Sequence, residues 1–133
     1  VSIPKGIDHN EIIIMREKGN IINEKLKGDI KIFINITNNT QFKRKGLDLI
    51  YEKKITVCEA LCGFKFNIRL LNNKTIAINN TESIIQPGYT KVLEGFGLER
   101  NNNKGNLVLI FNIIFPEKLS KEQKELIKKG FSL

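Results

Sequence analysis

Short runs in which every second residue is apolar, each ended by a cluster of turn residues, constrain this chain more than any other feature. In "GDIKIFINI" (Gly28 to Ile36), Ile30, Ile32, Ile34 and Ile36 fall on one face and Lys31, Phe33 and Asn35 on the other. That period of two is the signature of a strand with one face buried. "LDLIYEKKI", "FKFNIRLL", "KTIAINN" and "NLVLIFNIIF" are further strand candidates, rich in β-branched and aromatic residues. Between them lie "NNT", "RKG", "LNNKT", "QPGY" and "NNNKGN", whose Gly, Pro and Asn reverse a backbone cheaply. Several short strands at this spacing predict a mainly β fold, sandwich-like or meandering.

Two segments break the period. "TVCEALC" offers Thr56 as N-cap with Glu59 three residues later, the capping-box spacing, and Gly63 as its stop. A short helix is predicted there, with Ala60 and Leu61 turned inward. "SKEQKELIKKG" repeats the grammar with Ser120, Gln123 and Gly130, and Pro116 separates it from the preceding strand.

The chain also echoes itself. "IPKGIDHNEIIIMREKGN…KGDIKIFINI" parallels "IQPGYTKVLEGFGL…KGNLVLIFNI": each copy opens on Ile-x-Pro or Ile-Pro with a glycine, and each closing strand starts with Lys-Gly-[Asp/Asn]. An echo at this period implies two tandem modules of one topology. The second is complete, from about Asn35 to Phe115, and only the closing strands of the first are present. Val1 is not an initiating Met and "VSIPKG" has no signal-peptide pattern, so the chain is expected to be a piece of something longer.

Catalytic chemistry has little to work with. His9 is the only histidine and sits in "GIDHNE", a polar turn, so any Ser-His-Asp or Cys-His device would depend on it. No phosphate-binding Gly-x4-Gly-Lys-[Ser/Thr] occurs, and "EGFG" (Glu94 to Gly97) lacks the third glycine of a dinucleotide loop. Nothing in the spacing of Glu52 and Glu59 pairs them. The expectation is that the chain is not an enzyme. Asn35, Asn38, Asn73 and Asn79 begin glycosylation-type tripeptides, which arise readily by chance in so Asn-rich a chain.

The formal charge is +8, from 22 basic and 14 acidic residues. The basic residues are scattered among acids in "EKK" and "KEQKELIKK" and do not form a stripe, which argues for a solvated surface and against a nucleic-acid groove. No apolar run approaches the roughly 18 residues that span a bilayer. Cys58 and Cys62, four apart, share one helix face, which rarely suits a disulfide. With no second pair to complete a zinc site, they are expected to be buried free thiols in a reducing compartment. A cytoplasmic location follows, with a secretory or exported one as the alternative.

"FKRKGLDLIYEKKITVCEALCGFKFNIRLLNNKTIAI" (Phe42 to Ile78) resembles the second C-terminal β-domain of DnaJ-type co-chaperones, the forty-kilodalton heat-shock family. The family's Phe-Lys/Arg-Arg-x-Gly turn, Asp-Leu, alternating strand and Glu-Ala-Leu-x-Gly are matched by Phe42, Arg44, Gly46, Asp48, Leu49, Glu59, Ala60, Leu61 and Gly63. "IIQPGYTKVLEGFGL" is similar to its Ile-x-Pro-Gly segment, and "KGNLVLIFNIIFPEKLS" to its Gly-Asp-Leu strand ending in Phe-Pro. "VSIPKGIDHNEIIIMREKGN" resembles the closing strands of the first β-domain. The chain departs from the pattern at Asn39, where a His is usual, at Phe96, where an acid is usual, and at Asn106, where Asp is usual. Phe96 is in a position to add an apolar contact on its loop.

The resemblance implies a β-sandwich-like DnaJ C-terminal domain with a short helix after its first strand and a C-terminal helix. It divides the chain into closing strands of the first β-domain (1–34), a second β-domain (35–116) and a dimerisation helix and tail (117–133). It further implies a co-chaperone fragment that binds non-native client polypeptides and serves a seventy-kilodalton heat-shock chaperone, with no metal, nucleotide or other cofactor, no nucleic acid and no membrane. ATPase stimulation comes from the family's J domain, whose His-Pro-Asp does not occur here. The family's better-known peptide groove lies on the first β-domain; the corresponding positions of the second are Tyr51, Lys53, Ile68 and Leu70. Ile68 and Leu70 as ordinary core is the competing reading. Homodimerisation is placed on Leu119, Leu126, Ile127, Phe131 and Leu133. The alternative function is a structural spacer and dimerisation module without client contact.

Overall fold

A computed structural model describes residues 2–15, 21–23, 26–27 and 30–131; Gly28 and Asp29, at the head of the first alternating run, and Leu133 lie outside the described residues. In chain order the elements are β1 (Ile12–Met15), β2 (Ile21–Asn23), β3 (Leu26–Lys27), β4 (Ile30–Phe33), β5 (Phe42–Lys45), β6 (Asp48–Thr56), α1 (Val57–Cys62), β7 (Phe64–Arg69), β8 (Thr75–Asn80), β9 (Thr90–Leu93), β10 (Glu99–Arg100), β11 (Asn103–Lys104), β12 (Leu107–Ile114) and α2 (Lys121–Gly130). The fold is mainly β, and each of the five alternating runs contains a strand. The largest sheet has the order β5-β6-β12-β9; the other pairs are β1-β4, β2-β3, β7-β8 and β10-β11. No helix among the described residues is long and apolar enough to cross a membrane.

The chain forms two compact units, each built from separated segments: Val1–Tyr51 with Lys91–Leu109, and Glu52–Thr90 with Ile110–Leu133. The first unit buries Ile7, Phe42, Leu49, Leu107 and Leu109. Its β5-β6 hairpin pairs Phe42 with Tyr51 and Lys45 with Asp48, so only Gly46 and Leu47 make the turn. Gly46 has φ 61°, a left-handed conformation that suits glycine at the first central position of a two-residue turn. "FKRK" was expected within a turn motif and is instead a strand. Two residues suffice for the reversal, which leaves Phe42 free to pair and bury while Lys43 and Lys45 face outward along a short, charged edge.

Beside that turn three backbone segments meet. The Leu98 amide donates to the Leu47 carbonyl (2.7 Å), the Gly97 amide to the Gly105 carbonyl (2.9 Å), and the Gly105 amide to the Leu98 carbonyl (2.7 Å). Asp48 Oδ1 accepts from the Asn106 amide at 2.7 Å. A Cβ on Gly105 would lie 2.0 Å from the Leu47 oxygen, and one on Gly97 2.6 Å from the same atom. Glycine is required at both positions for close approach, whatever the turn conformation.

The amino-terminal segment is held to this unit by two arginines. Arg44, on β5, donates to the carbonyls of Ile7 and Gly6 (the latter at 2.9 Å), to Asp8 Oδ1 at 2.8 Å and to the Gly46 carbonyl at 2.7 Å. Arg100 makes a bidentate pair with Glu11, its Nη2 lying 2.7 Å from Oε2. His9, expected to be part of a polar turn, accepts from the Ile36 amide through Nδ1 at 2.9 Å.

The second unit buries Ile55, Ala60, Phe64, Ile68, Ile78, Ile85 and Phe111. The capping box of α1 forms as its spacing predicts: Thr56 Oγ1 accepts from the Glu59 amide (3.1 Å), and the Glu59 carboxylate accepts from the Thr56 amide (3.0 Å). Two expectations about this helix are corrected. Leu61 is 40% exposed, and Cys58 and Cys62 are both exposed free thiols. A six-residue helix has room for one inward position, which Ala60 occupies, with its carbonyl accepting from the Ile85 amide at 3.0 Å. At 3.6 residues per turn, Cys58 and Cys62 stand two residues to either side of Ala60, about 200° away and on the opposite face.

The capping box of α2 also forms, with Ser120 and Gln123 exchanging bonds of 2.8 and 3.1 Å. Gly130, expected as the stop, is instead the last helical residue. Phe131 is the cap, its amide donating to the Ile127 carbonyl at 3.1 Å. Lys128 and Lys129 in the last turn and Glu122 in the first complement the helix dipole.

Gly105→Ala is expected to destabilise the fold by at least about 2 kcal/mol, because a methyl group is forced into a carbonyl oxygen. Gly130→Ala, with open space around its Cβ, should cost nothing; urea titration of both variants checks the contrast. A second expectation concerns acid. The hydrogen bond from Arg100 holds the Glu11 carboxyl below its ordinary range. The stability it contributes is therefore complete above the unfolded value of about 4.3 and is lost as pH falls through the lower folded value. Glu11→Gln should flatten that acid limb in melting temperature against pH while leaving the neutral region less affected by further pH change.

Candidate functional site

The alternation of β7 sends Phe64, Phe66 and Ile68 to one side and Lys65, Asn67 and Arg69 to the other. Across the hairpin, Phe66 pairs with Ile78 and Ile68 with Ile76. The inward side becomes an aromatic cluster. Phe64 and Phe66 stack with centroids 5.8 Å apart, and Phe111 of β12 meets Phe64 edge-on at 5.5 Å. Tyr89 stacks on Phe111 at 6.2 Å. Such pairs add roughly 0.5–1.5 kcal/mol each beyond the area they bury.

The cluster is sealed inside and open at its rim. Phe64 and Phe111 are buried, Phe66 is half-buried and Tyr89 is 42% exposed. Lys53 of β6 lies over Phe66, with Nζ 4.9 Å from the ring centroid. A cation over an aromatic face leaves a surface apolar in area and positive in charge.

The four positions expected to line a groove separate in character. Lys53 is half-buried and joins the aromatic rim. Ile68 is 1% exposed, beneath the surface in the core of the second unit. Leu70 is half-buried just past the end of β7, where its amide donates to the Lys74 carbonyl at 2.7 Å and its carbonyl accepts from Asn73 at 3.0 Å. Tyr51 belongs to the first unit and packs on Phe42 at 5.5 Å. Phe66 and Tyr89 escaped the sequence reading. The alternation of "FKFNIR" was a sufficient signal for Phe66, which shares the parity of Ile68. Tyr89, in "QPGY", had none, because its partner Phe111 is 22 residues away.

Of the positions expected to mediate self-association, Leu126 and Ile127 lie in α2, and Leu119 and Phe131 flank it. Leu119 is 36% exposed, Ile127 47%, Phe131 65% and Leu126 69%, and α2 buries no residue. At about 100° per residue, Leu126, Ile127 and Phe131 fall within an arc of roughly 140°. Charged residues occupy the rest of the circumference. Leu133 lies outside the described residues. Among the described residues no group of three or more His, Cys, Asp or Glu side chains could hold a metal ion.

The family described as "DnaJ C terminal domain" matches residues 1–116. Among curated proteins, the chain is 34% identical over 129 residues to "Chaperone protein dnaJ A6" of Oryza sativa subsp. japonica, covering 92% of this chain and 31% of that protein. It is 34% identical to "DnaJ protein ERDJ3B" of Arabidopsis thaliana, covering 99% and 38% respectively. With "Chaperone protein DnaJ" of Thermosipho africanus the identity is 32%, covering 97% and 35%. The chain thus spans about a third of the length of the curated relatives it matches.

Ile68→Ala should cost about 2–5 kcal/mol, the price of a core cavity, and Lys53→Ala no more than about 1 kcal/mol. Thermal and urea unfolding of the two variants measure this difference. Comparable losses at both sites would show that the burial assigned to Ile68 is wrong.

Proposed function

Because this chain belongs to the DnaJ C-terminal domain family, we propose that it is the client-holding and self-associating part of a co-chaperone. In this reading residues 1–34 close a first β-domain, 35–116 form a second, and 117–133 join two copies. Its full-length protein delivers non-native polypeptides to a seventy-kilodalton heat-shock chaperone. Stimulation of that partner's ATPase is assigned to a part of the protein other than this chain. The observation that carries the reading is the family match over residues 1–116.

Peptide capture by β-domains combines main-chain pairing at a strand edge with apolar pockets for alternate side chains. The half-buried Lys53 and Phe66, with Tyr89 beside Phe111, supply an apolar and positively charged rim of that kind. Leu70 and Tyr51 remain candidate contacts. Ile68 supports such a surface from below and does not touch the client. Its burial favours a second reading, in which the second β-domain is a spacer and clients are held elsewhere in the full-length protein.

Self-association is proposed through α2. An isolated helix of ten residues is marginal in water, and its apolar side is uncovered in one chain. A twofold contact would cover the same patch on both copies, and two joined client sites would gain avidity on one unfolded chain.

Deleting everything after Glu117 should convert a dimer into a folded monomer by light scattering, with weaker suppression of aggregation of a chemically unfolded reporter. Lys53→Asp should weaken capture of an extended apolar peptide without unfolding the domain. A parent chain that is monomeric at micromolar concentration removes the dimer. Unchanged peptide binding in the Lys53 variant leaves the spacer reading.

A further inference from the structure

Cys58 and Cys62 belong to none of the surfaces above. They occupy the second and last positions of α1, on the face opposite the buried Ala60, and both are exposed. Four residues apart in α1, the two side chains lie on one helix face, one turn apart. Two sulfur donors are thus presented together to solvent on a helix whose start is fixed by a complete capping box.

Helix geometry sets what can join them. Side chains four apart on a helix have Cβ atoms about 5–6 Å apart. A direct disulfide requires roughly 3.5–4.5 Å. The gap is too wide for a sulfur–sulfur bond without unwinding α1, and it leaves room for a single atom between the sulfurs. Thiolate pairs select soft cations. Zinc would need four ligands, and no third His, Cys, Asp or Glu completes a cluster among the described residues.

We propose that Cys58 and Cys62 form a two-coordinate site for a soft monovalent cation of the cuprous type, bridging consecutive turns of α1. Binding is an exchange of protons for metal: one cuprous ion and two thiols give a bis-thiolate complex and two protons. No electron is transferred, and the chain's net charge falls by one. The bridge ties the two ends of a six-residue helix together, so α1 is held more firmly when the ion is bound. The site is independent of client binding and of α2.

The test is anaerobic titration of the reduced chain with cuprous ion against a coloured cuprous chelator. One ion bound per chain, two protons released, an unchanged oligomeric state and a raised melting temperature are expected. Cys58→Ser and Cys62→Ser, both at exposed positions, should keep the circular dichroism of the parent, and each should lose the binding. Two ions per chain, one ion shared between two chains, or full affinity in either variant overturns the proposal. So does ready formation of an intrachain disulfide, seen as a loss of two hydrogens by mass with α1 intact, since it would mean that the sulfurs leave no gap.

Discussion

The close crossing of three backbone segments at Leu47 is the constraint on which the first unit depends. The carbonyl of Leu47 accepts from Leu98 and is closely approached by two glycines, 97 and 105, that carry no Cβ. Asp48 and Asn106 lock the same place through a 2.7 Å bond to a backbone amide, and the Leu49 amide donates to the Asn106 carbonyl at 2.8 Å. Gly46-Leu47-Asp48 is far along the chain from Gly97-Leu98 and Gly105-Asn106, and the three meet at one point. That convergence leaves no room for a side chain at Gly97 or Gly105. The change to Asn at 106 is accommodated because the contact made by its side chain is an acceptor. Asn106 Oδ1 takes the Gly95 amide at 3.2 Å, which an amide oxygen does as well as a carboxylate. Phe96 stands 43% exposed on the same loop.

The arginines show where part of the positive charge goes. Arg44 satisfies two backbone carbonyls of the amino-terminal segment, an aspartate and its own turn. Arg100 closes a two-point pair with Glu11. A planar guanidinium can do this and a lysine cannot, since the fork meets several acceptors at once. These contacts commit Arg44 and Arg100 to architecture.

In the second unit the aromatic cluster takes the organising role. Its interior fixes β7 against β12 through Phe64 and Phe111, and its rim carries Lys53, Phe66 and Tyr89 to the surface. The same packing supplies stability and a surface that combines aromatic area with a cation. Ile68 contributes by burial alone.

What the sequence determined was whatever residues within a few positions of each other can settle. Both capping boxes, the reversal at Gly46 and the five strand-bearing runs depend on partners one to four residues away, and all were legible. The stop of α2 was misplaced by one residue because helix ends rest on small local differences, and Gly130 had no need to leave the helical region. Tertiary structure alone decided which face of each element met the core. Ala60 could be placed inside, but only packing excluded Leu61 and turned Cys58 and Cys62 to solvent. Only packing joined Tyr89 to Phe111, Arg44 to Gly6 and Ile7, and Gly105 to Leu47. Those pairings are separated by 22 to 58 residues, and no local propensity reports which distant surface will cover a side chain.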